Sequence, residues 1–235
     1  MEEMNEYEQL LNYYKECFRL IDCFHFNSKT SQDVFHKYIN PNKEYVIPIT
    51  HCDIRDNRKR KYYNSNNALK IGFIGSEQIY KGLPILTSIL TNKFDINKWE
   101  LSVWGGRIGN TSKLPIYFRG KFNKETISQV YDNMDVLIVP SIWKETFSLV
   151  TLEALSYGVP VIVSNNVGAK DIVAKYAPDF IYNTKEELIC LLQQLIYNRQ
   201  KLIDFNSAIL ETQWKYDIKN HAIDIIEKIY KDYNI

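Results

Sequence analysis

From residue 69 onward, short apolar runs alternate with segments whose apolar residues recur at helical spacing. This alternation confines the chain to an α/β fold with a doubly wound parallel sheet. Strands are expected over 69–74, 100–104, 116–119, 136–139 and 180–182, and helices over 82–91, 124–133, 148–157 and 185–197. Strands of such a sheet point their carboxyl ends to one edge, so the loops after them open on one crevice. Three of those loops matter here: the one beginning at Gly75, the turn Gly105-Gly106, and the one carrying Glu145.

The run DVLIVPSIWKETFSLVTLEALSYGVPVIVSNNVG, residues 135–168, holds most of the chemistry. It reads as a buried strand, a loop with Glu145, a helix with Glu153, a stop at Gly158-Val159-Pro160, and a second buried strand. Around the helix, Leu149, Val150, Leu152, Ala154 and Leu155 point nearly all round, which leaves Glu153 without a solvent face. A buried carboxylate needs donors, either vicinal hydroxyls of a ligand or a protein Lys or Arg. Glu145, just ahead of the helix, lets the two acids bracket one ligand. The unpaired amides around Phe147, Ser148 and Leu149 carry the positive end of the helix dipole and suit a phosphate, while Ser148 can also cap its own helix. The stretch IGFIGSEQIYKG adds Gly75 at a strand end and Lys81, a cation for a diphosphate; its spacing is neither a P-loop nor the dinucleotide fingerprint. Tyr80, Trp104 and Trp143 are expected to serve packing.

Residues 1–50 read as helix, strand, helix, strand, with Thr30 or Ser31 capping the second helix. Two strands do not make an independent sheet, so this segment is expected to complete something larger. Residues 51–67 carry Arg55, Arg58, Lys59, Arg60 and Lys61. They are read as a solvated linker rather than a phosphate or membrane-surface contact, because no stacking or base-reading pattern accompanies the charges. The final helix, 218–230, sets Ala222, Ile225, Ile226 and Ile229 on one stripe and is expected to pack across a surface. A net charge of +1 with the signs interleaved gives no field for nucleic acid. Cys17, Cys23, Cys52 and Cys190 show no metal-ligand spacing with the histidines and are expected as free, mostly buried thiols of a reducing cytoplasm. The acidic start MEEMNEYEQ is unlike a signal peptide, and no apolar run reaches the ~18 residues of a spanning helix. The chain is expected to be soluble, or at most peripheral at a membrane.

Taken together, these residues resemble the retaining glycosyltransferases of family 4, also called glycosyltransferase group 1, with the two-lobed GT-B fold. The resemblance rests on FIG and KG between Gly75 and Gly82, on the 135–164 run with its two glutamates, and on Gly168 after it. It implies a Rossmann-like donor-binding lobe over 68–213, preceded by the incomplete end of an acceptor lobe (1–53) and a linker (54–67), and followed by a C-terminal crossing helix (214–235). It implies that Glu145 contacts hydroxyls of the donor sugar and Glu153 the ribose. Lys81 and the amides of Phe147, Ser148 and Leu149 would hold the diphosphate and ease its departure. Gly75 and Ser76 complete that donor site, Phe122 marks contacts to the base, and Glu145 and Lys81 are the catalytic candidates.

The chemistry so implied is transfer with retention from a nucleotide-diphosphate sugar, a UDP-sugar favoured over a GDP-sugar, to a hydroxyl of a glycan or lipid-linked acceptor. No metal or cofactor is expected. The implied setting is surface polysaccharide or glycolipid synthesis, in the cytoplasm or at the inner face of the membrane. Two positions depart from the family: Ser76 stands where Arg is usual, with Arg107 or Arg119 as substitute cation, and Ser148 stands where Gly is common. Most of the acceptor lobe has no counterpart, which leaves a place for a second polypeptide. The alternative is a catalytically silent sugar-nucleotide-binding subunit of a split or partner enzyme.

Overall fold

The computed structural model describes residues 5–111 and 113–231. The readings made on the first four residues and on 232–235 lie outside the described residues. Helix α1 (Glu6–Arg19) opens with a capping box, in which Asn5 accepts the Glu8 amide and the Glu8 carboxylate returns to the Asn5 amide. Strands β1 (Phe24–Phe26) and β2 (Glu44–Val46) pair in parallel, joined by α2 (Lys29–Phe35). Ser28, rather than Thr30 or Ser31, caps α2: its backbone is extended and its hydroxyl accepts the Ser31 amide, whereas Thr30 and Ser31 already lie inside the first turn.

The large sheet contains β3 (Leu69–Ile74), β4 (Trp99–Trp104), β5 (Ile108–Asn110), β6 (Ile116–Gly120), β7 (Val136–Val139), β8 (Val161–Ser164) and β9 (Ile181–Tyr182). Their order is β5-β6-β4-β3-β7-β8-β9, and every pairing is parallel except β5 with β6. Strands β7 and β8 are buried at every residue, which is why they are continuous apolar runs rather than alternating ones. Edge strand β5 was not foreseen from the sequence; its three residues are all exposed, so no apolar period announces it. Among the parallel strands, sequence order runs outward in both directions from the β3–β7 pair, which makes that junction the switch point of the sheet.

Helices α3 (Leu83–Lys93), α4 (Ile127–Asp132), α5 (Leu149–Ser156), α6 (Lys170–Val173), α7 (Lys185–Tyr197) and α8 (Gln200–Glu211) cover the sheet, and α9 (Ile218–Ile225) follows. Helix α5 stops as its sequence requires. Gly158 takes φ 76°, its amide reaches the Leu155 carbonyl and the Val159 amide reaches Ala154, which is a Schellman closure. Thr184 and Glu187 form the capping box of α7.

Residues 54–67 are mostly exposed, as a solvated linker would be, yet several of them are bonded to the helices of the large sheet. Ile54 is buried, the Asn57 amide donates to the Ser156 carbonyl, Arg58 donates to the carbonyls of Ile209 and Thr212, and the Lys61 ammonium donates to that of Tyr131. These acceptors sit at the carboxyl ends of α5, α8 and α4, where carbonyls lack intrahelical partners and the dipole favours cations. The basic run is therefore a strap that closes three helices. The thiols differ from expectation too: Cys52 and Cys190 are exposed, and Cys17 and Cys23 are half-buried. Helix α9 runs on through a π-helical stretch, Ile226–Tyr230, and none of its residues is buried; Ala222 and Ile226 of the anticipated stripe face solvent. Among the described residues, no helix is long and apolar enough to cross a membrane.

Candidate functional site

At the switch point, the Gly75 loop after β3 and the Glu145 loop after β7 face each other. Gly82 makes this approach possible: it adopts φ 82°, and a Cβ there would lie 1.8 Å from the Pro140 carbonyl oxygen at the end of β7. The short 3₁₀ turn Ile79–Lys81 before it delivers Lys81 beside Glu145. The Lys81 ammonium donates to Glu145 Oε1, and the Ser141 hydroxyl donates to Oε2 at 2.8 Å. With side chains 26% and 15% exposed, respectively, this pair is partly withdrawn from water while still open to a ligand.

The Glu145 loop is held on two more sides. The Glu145 amide donates to the Asn166 carbonyl and the Gly168 amide donates to the Glu145 carbonyl, which ties the loop to the one after β8. The Ser28 hydroxyl, from the loop after β1, donates to the Thr146 carbonyl.

A cavity of about 160 Å³ lies over this junction, lined by Gly75, Lys81, Ser141, Glu145, Ser148 and Leu149 among others. The structure thus brings together five of the residues singled out from the sequence. Ser148 does not cap α5. It sits at φ 91°, ψ 86°, the one non-glycine residue with positive φ among those described, and its hydroxyl accepts from Thr151 Oγ1. That is a strained conformation for a residue with a Cβ, of the sort found at functional sites. Among the described residues, no protein group accepts the amides of Phe147, Ser148 and Leu149, so they remain free to bind an anion. The Phe147 side chain itself is buried in the core.

The other candidates sit apart from the cavity. Ser76 is exposed beyond Gly75. Phe122 packs edge-on against Trp104 at 6.0 Å. Glu153, its side chain 16% exposed, accepts a hydrogen bond from the Tyr131 hydroxyl at 2.9 Å and lies 3.6 Å from His51 Nε2. Its protein partners are thus a tyrosine and a histidine rather than the lysine or arginine weighed from the sequence. Burial first, and the neighbouring Glu153 second, raise the Tyr131 pKa well above its usual value, so its hydroxyl stays a donor. Neither arginine proposed as a substitute cation enters the cavity. Arg107 pairs with Glu77 at 3.2 Å and stacks on Phe118, and Arg119 turns along the sheet to Ser102 and Tyr117. Lys81 is the one cation among the cavity's lining residues.

Sequence reasoning missed Ser141, His51 and Tyr131. Ser141, next to Pro140 at the end of β7, was within reach of the strand-end argument; the other two come from elements distant in sequence. His51, Cys52 and Asp53 place one ligand-type atom each within 4.8 Å of one another, yet Asp53 is bonded to Lys124 and His51 Nδ1 accepts the Asp53 amide.

Comparison with known proteins bears on this site. Residues 113–211 match the family model described as glycosyl transferases group 1. The sulfoquinovosyl transferase SQD2 of Arabidopsis thaliana is 32% identical over 109 residues, 44% of this chain and 21% of that protein. The solved structure of Anabaena HepE in complex with UDP and glucose superposes with a TM-score of 0.74 at 18% identity, over 95% of this chain and 67% of that one. WaaG, a glycosyltransferase involved in lipopolysaccharide biosynthesis, superposes with a TM-score of 0.62 at 18% identity, covering 86% of this chain and 62% of that one.

The fold is that of the GT-B glycosyltransferases.

Within this GT-B architecture the chain spans 21–41% of the length of the curated relatives it matches. The group 1 match begins after β5, so it takes in Glu145, Glu153 and the start of α5, whereas Lys81 lies outside it.

Proposed function

We propose that this chain carries the donor-binding lobe of a retaining, family 4 glycosyltransferase that uses a nucleotide-diphosphate sugar, with a UDP-sugar as the donor. The observation that carries the reading is the meeting of Lys81 and Glu145, from two different strand ends, beside unpaired amides at the start of α5. The cation and the amides match a diphosphate; the carboxylate, released from Lys81 by that phosphate, accepts hydroxyls of the sugar. As the bond between sugar and diphosphate breaks, Lys81 and the amides stabilise the charge left on the leaving group. Glu153, with Tyr131 and His51 around it, is assigned to the ribose, and Phe122 beside Trp104 to the base.

Residues 68–213 form this lobe in the proposal, 1–53 the end of an acceptor lobe, and 214–235 a crossing segment. Earlier chain or a second polypeptide supplies the rest of the acceptor site. The acceptor is a glycan or lipid-linked hydroxyl in surface polysaccharide or glycolipid synthesis, in the cytoplasm or at the inner face of the membrane.

Calorimetric titration of UDP-glucose into the purified chain tests the reading. Glu145→Ala and Lys81→Ala are each expected to weaken binding by about tenfold or more, the usual size of a lost charge-assisted hydrogen bond. Unchanged affinity in both variants overturns the assignment. A silent sugar-nucleotide-binding subunit is the second reading, favoured by the exposed Ser76 at a position where a cation is expected. Sugar transfer by the chain alone would exclude it.

A further inference from the structure

Tyr80 and Trp143 were read from the sequence as packing residues, and the structure places them otherwise. They flank the Lys81–Glu145 pair, 37% and 48% exposed, with ring centroids 4.3 Å apart at an interplanar angle of 41°. Lys81 Nζ lies 5.7 Å from the centre of the Trp143 ring. Exposed side chains of this size ordinarily wander, yet the backbone beneath these two is fixed. The Ile142 amide donates to the Tyr80 carbonyl at 2.9 Å, which ties the two loops together. Asn166 Nδ2 then donates to the Ile142 carbonyl at 2.7 Å, which holds them to the loop after β8. Among the described residues, neither ring belongs to the hydrophobic core or packs against it. Two large aromatic surfaces thus stand on tied backbone, open to solvent, beside the lysine that reaches into the cavity.

We infer that Tyr80 and Trp143 form an aromatic wall on which the pyranose ring of the donor packs. The inference rests on the donor reading given above and goes one step further, to the part of the ligand that the wall contacts. A phosphate held by Lys81 and a sugar hydroxyl held by Glu145 leave the sugar ring next to Trp143, because Lys81 itself stands beside that ring. A pyranose presents C–H groups on its face and hydroxyls at its edge. The C–H face is weakly positive and suits the negative face of an indole, while the edge is met by Glu145 and Ser141. The wall therefore acts on the sugar and leaves the nucleoside untouched.

The test compares UDP with UDP-glucose and UDP-galactose by calorimetry on the wild-type chain and on Trp143→Ala and Trp143→Phe. The wild type is expected to bind at least one UDP-sugar more tightly than UDP. Trp143→Ala is expected to reduce that difference by roughly fivefold, within the range measured for aromatic contacts, while leaving UDP affinity unchanged. Trp143→Phe is expected to restore part of it. Trp143 is exposed, so thermal unfolding of both variants should match the wild type. Equal weakening of UDP and UDP-sugar in Trp143→Ala would mean that the ring acts only by positioning Lys81, and it overturns the wall. So does a sugar-dependent difference that survives the substitution, or one absent from the wild type. If the wild type binds neither UDP nor a UDP-sugar, the donor reading itself falls, and the wall with it.

Discussion

The seven-stranded sheet and the β1–β2 unit show opposite ways for a parallel sheet to be incomplete or complete. The large sheet closes its own core: β7 and β8 are buried throughout, and α5 carries Leu152, Ala154 and Leu155 fully inside. The small one has two strands, and the α1 helix beside it buries none of its described residues, leaving Tyr7, Leu10, Tyr13 and Tyr14 in solvent. The difference teaches that one region owns its stability, while the other borrows order from its neighbour through a few specific bonds. Between them, the strap at 54–67 belongs to the large unit, since its bonds are made to the ends of α4, α5 and α8.

That contrast can be broken by substitution. The largest effect is expected for Leu155→Ala in α5, a cavity in the closed core that should cost about 2–5 kcal/mol in chemical denaturation, while Leu10→Ala on α1 should stay within about 0.5 kcal/mol. A comparable loss at Leu10 would show that α1 is covered in solution. Next comes Arg58→Ala, which removes the guanidinium donor from the Thr212 carbonyl and leaves the Ile209 carbonyl with the Thr212 hydroxyl alone; it should cost about 1–3 kcal/mol, and a neutral result would return the strap to the status of a linker.

The smallest effect is a pH dependence. Burial pushes the Lys61 ammonium down to about 8 from 10.5, so above pH 8 the unfolded chain holds more protons at this site than the folded one. Stability from Lys61 should therefore rise from about pH 8 to about 9.5, below the range where tyrosines titrate. Denaturation midpoints of wild type and Lys61→Met across that window should change at different rates, and parallel curves would show that Lys61 is hydrated.

Much of the large unit was legible because buried parallel strands leave continuous apolar runs, and because Gly158 and Thr184 mark helix ends in the sequence itself. Strand β5 was not, since Ile108, Gly109 and Asn110 pair by backbone alone at an exposed edge. The strap's bonds to helix ends were hidden because a cation that caps a helix and a cation in water look the same in a sequence. At the site, strand-end reasoning placed Lys81 and Glu145 in one crevice, and the structure has them in contact. The surroundings of Glu153 were hidden, for Tyr131 and His51 arrive from distant segments, and nothing local in the sequence distinguishes an aromatic wall from an aromatic core.

The Ser28 hydroxyl reaches across 118 positions of sequence to the carbonyl of Thr146, the residue after Glu145. Mechanically this is a tether between the small unit and the candidate carboxylate. A rotation of β1–β2 against the large sheet has either to snap it or to drag Glu145 along, so the orientation of the one region and the aim of the other's acid form a single degree of freedom.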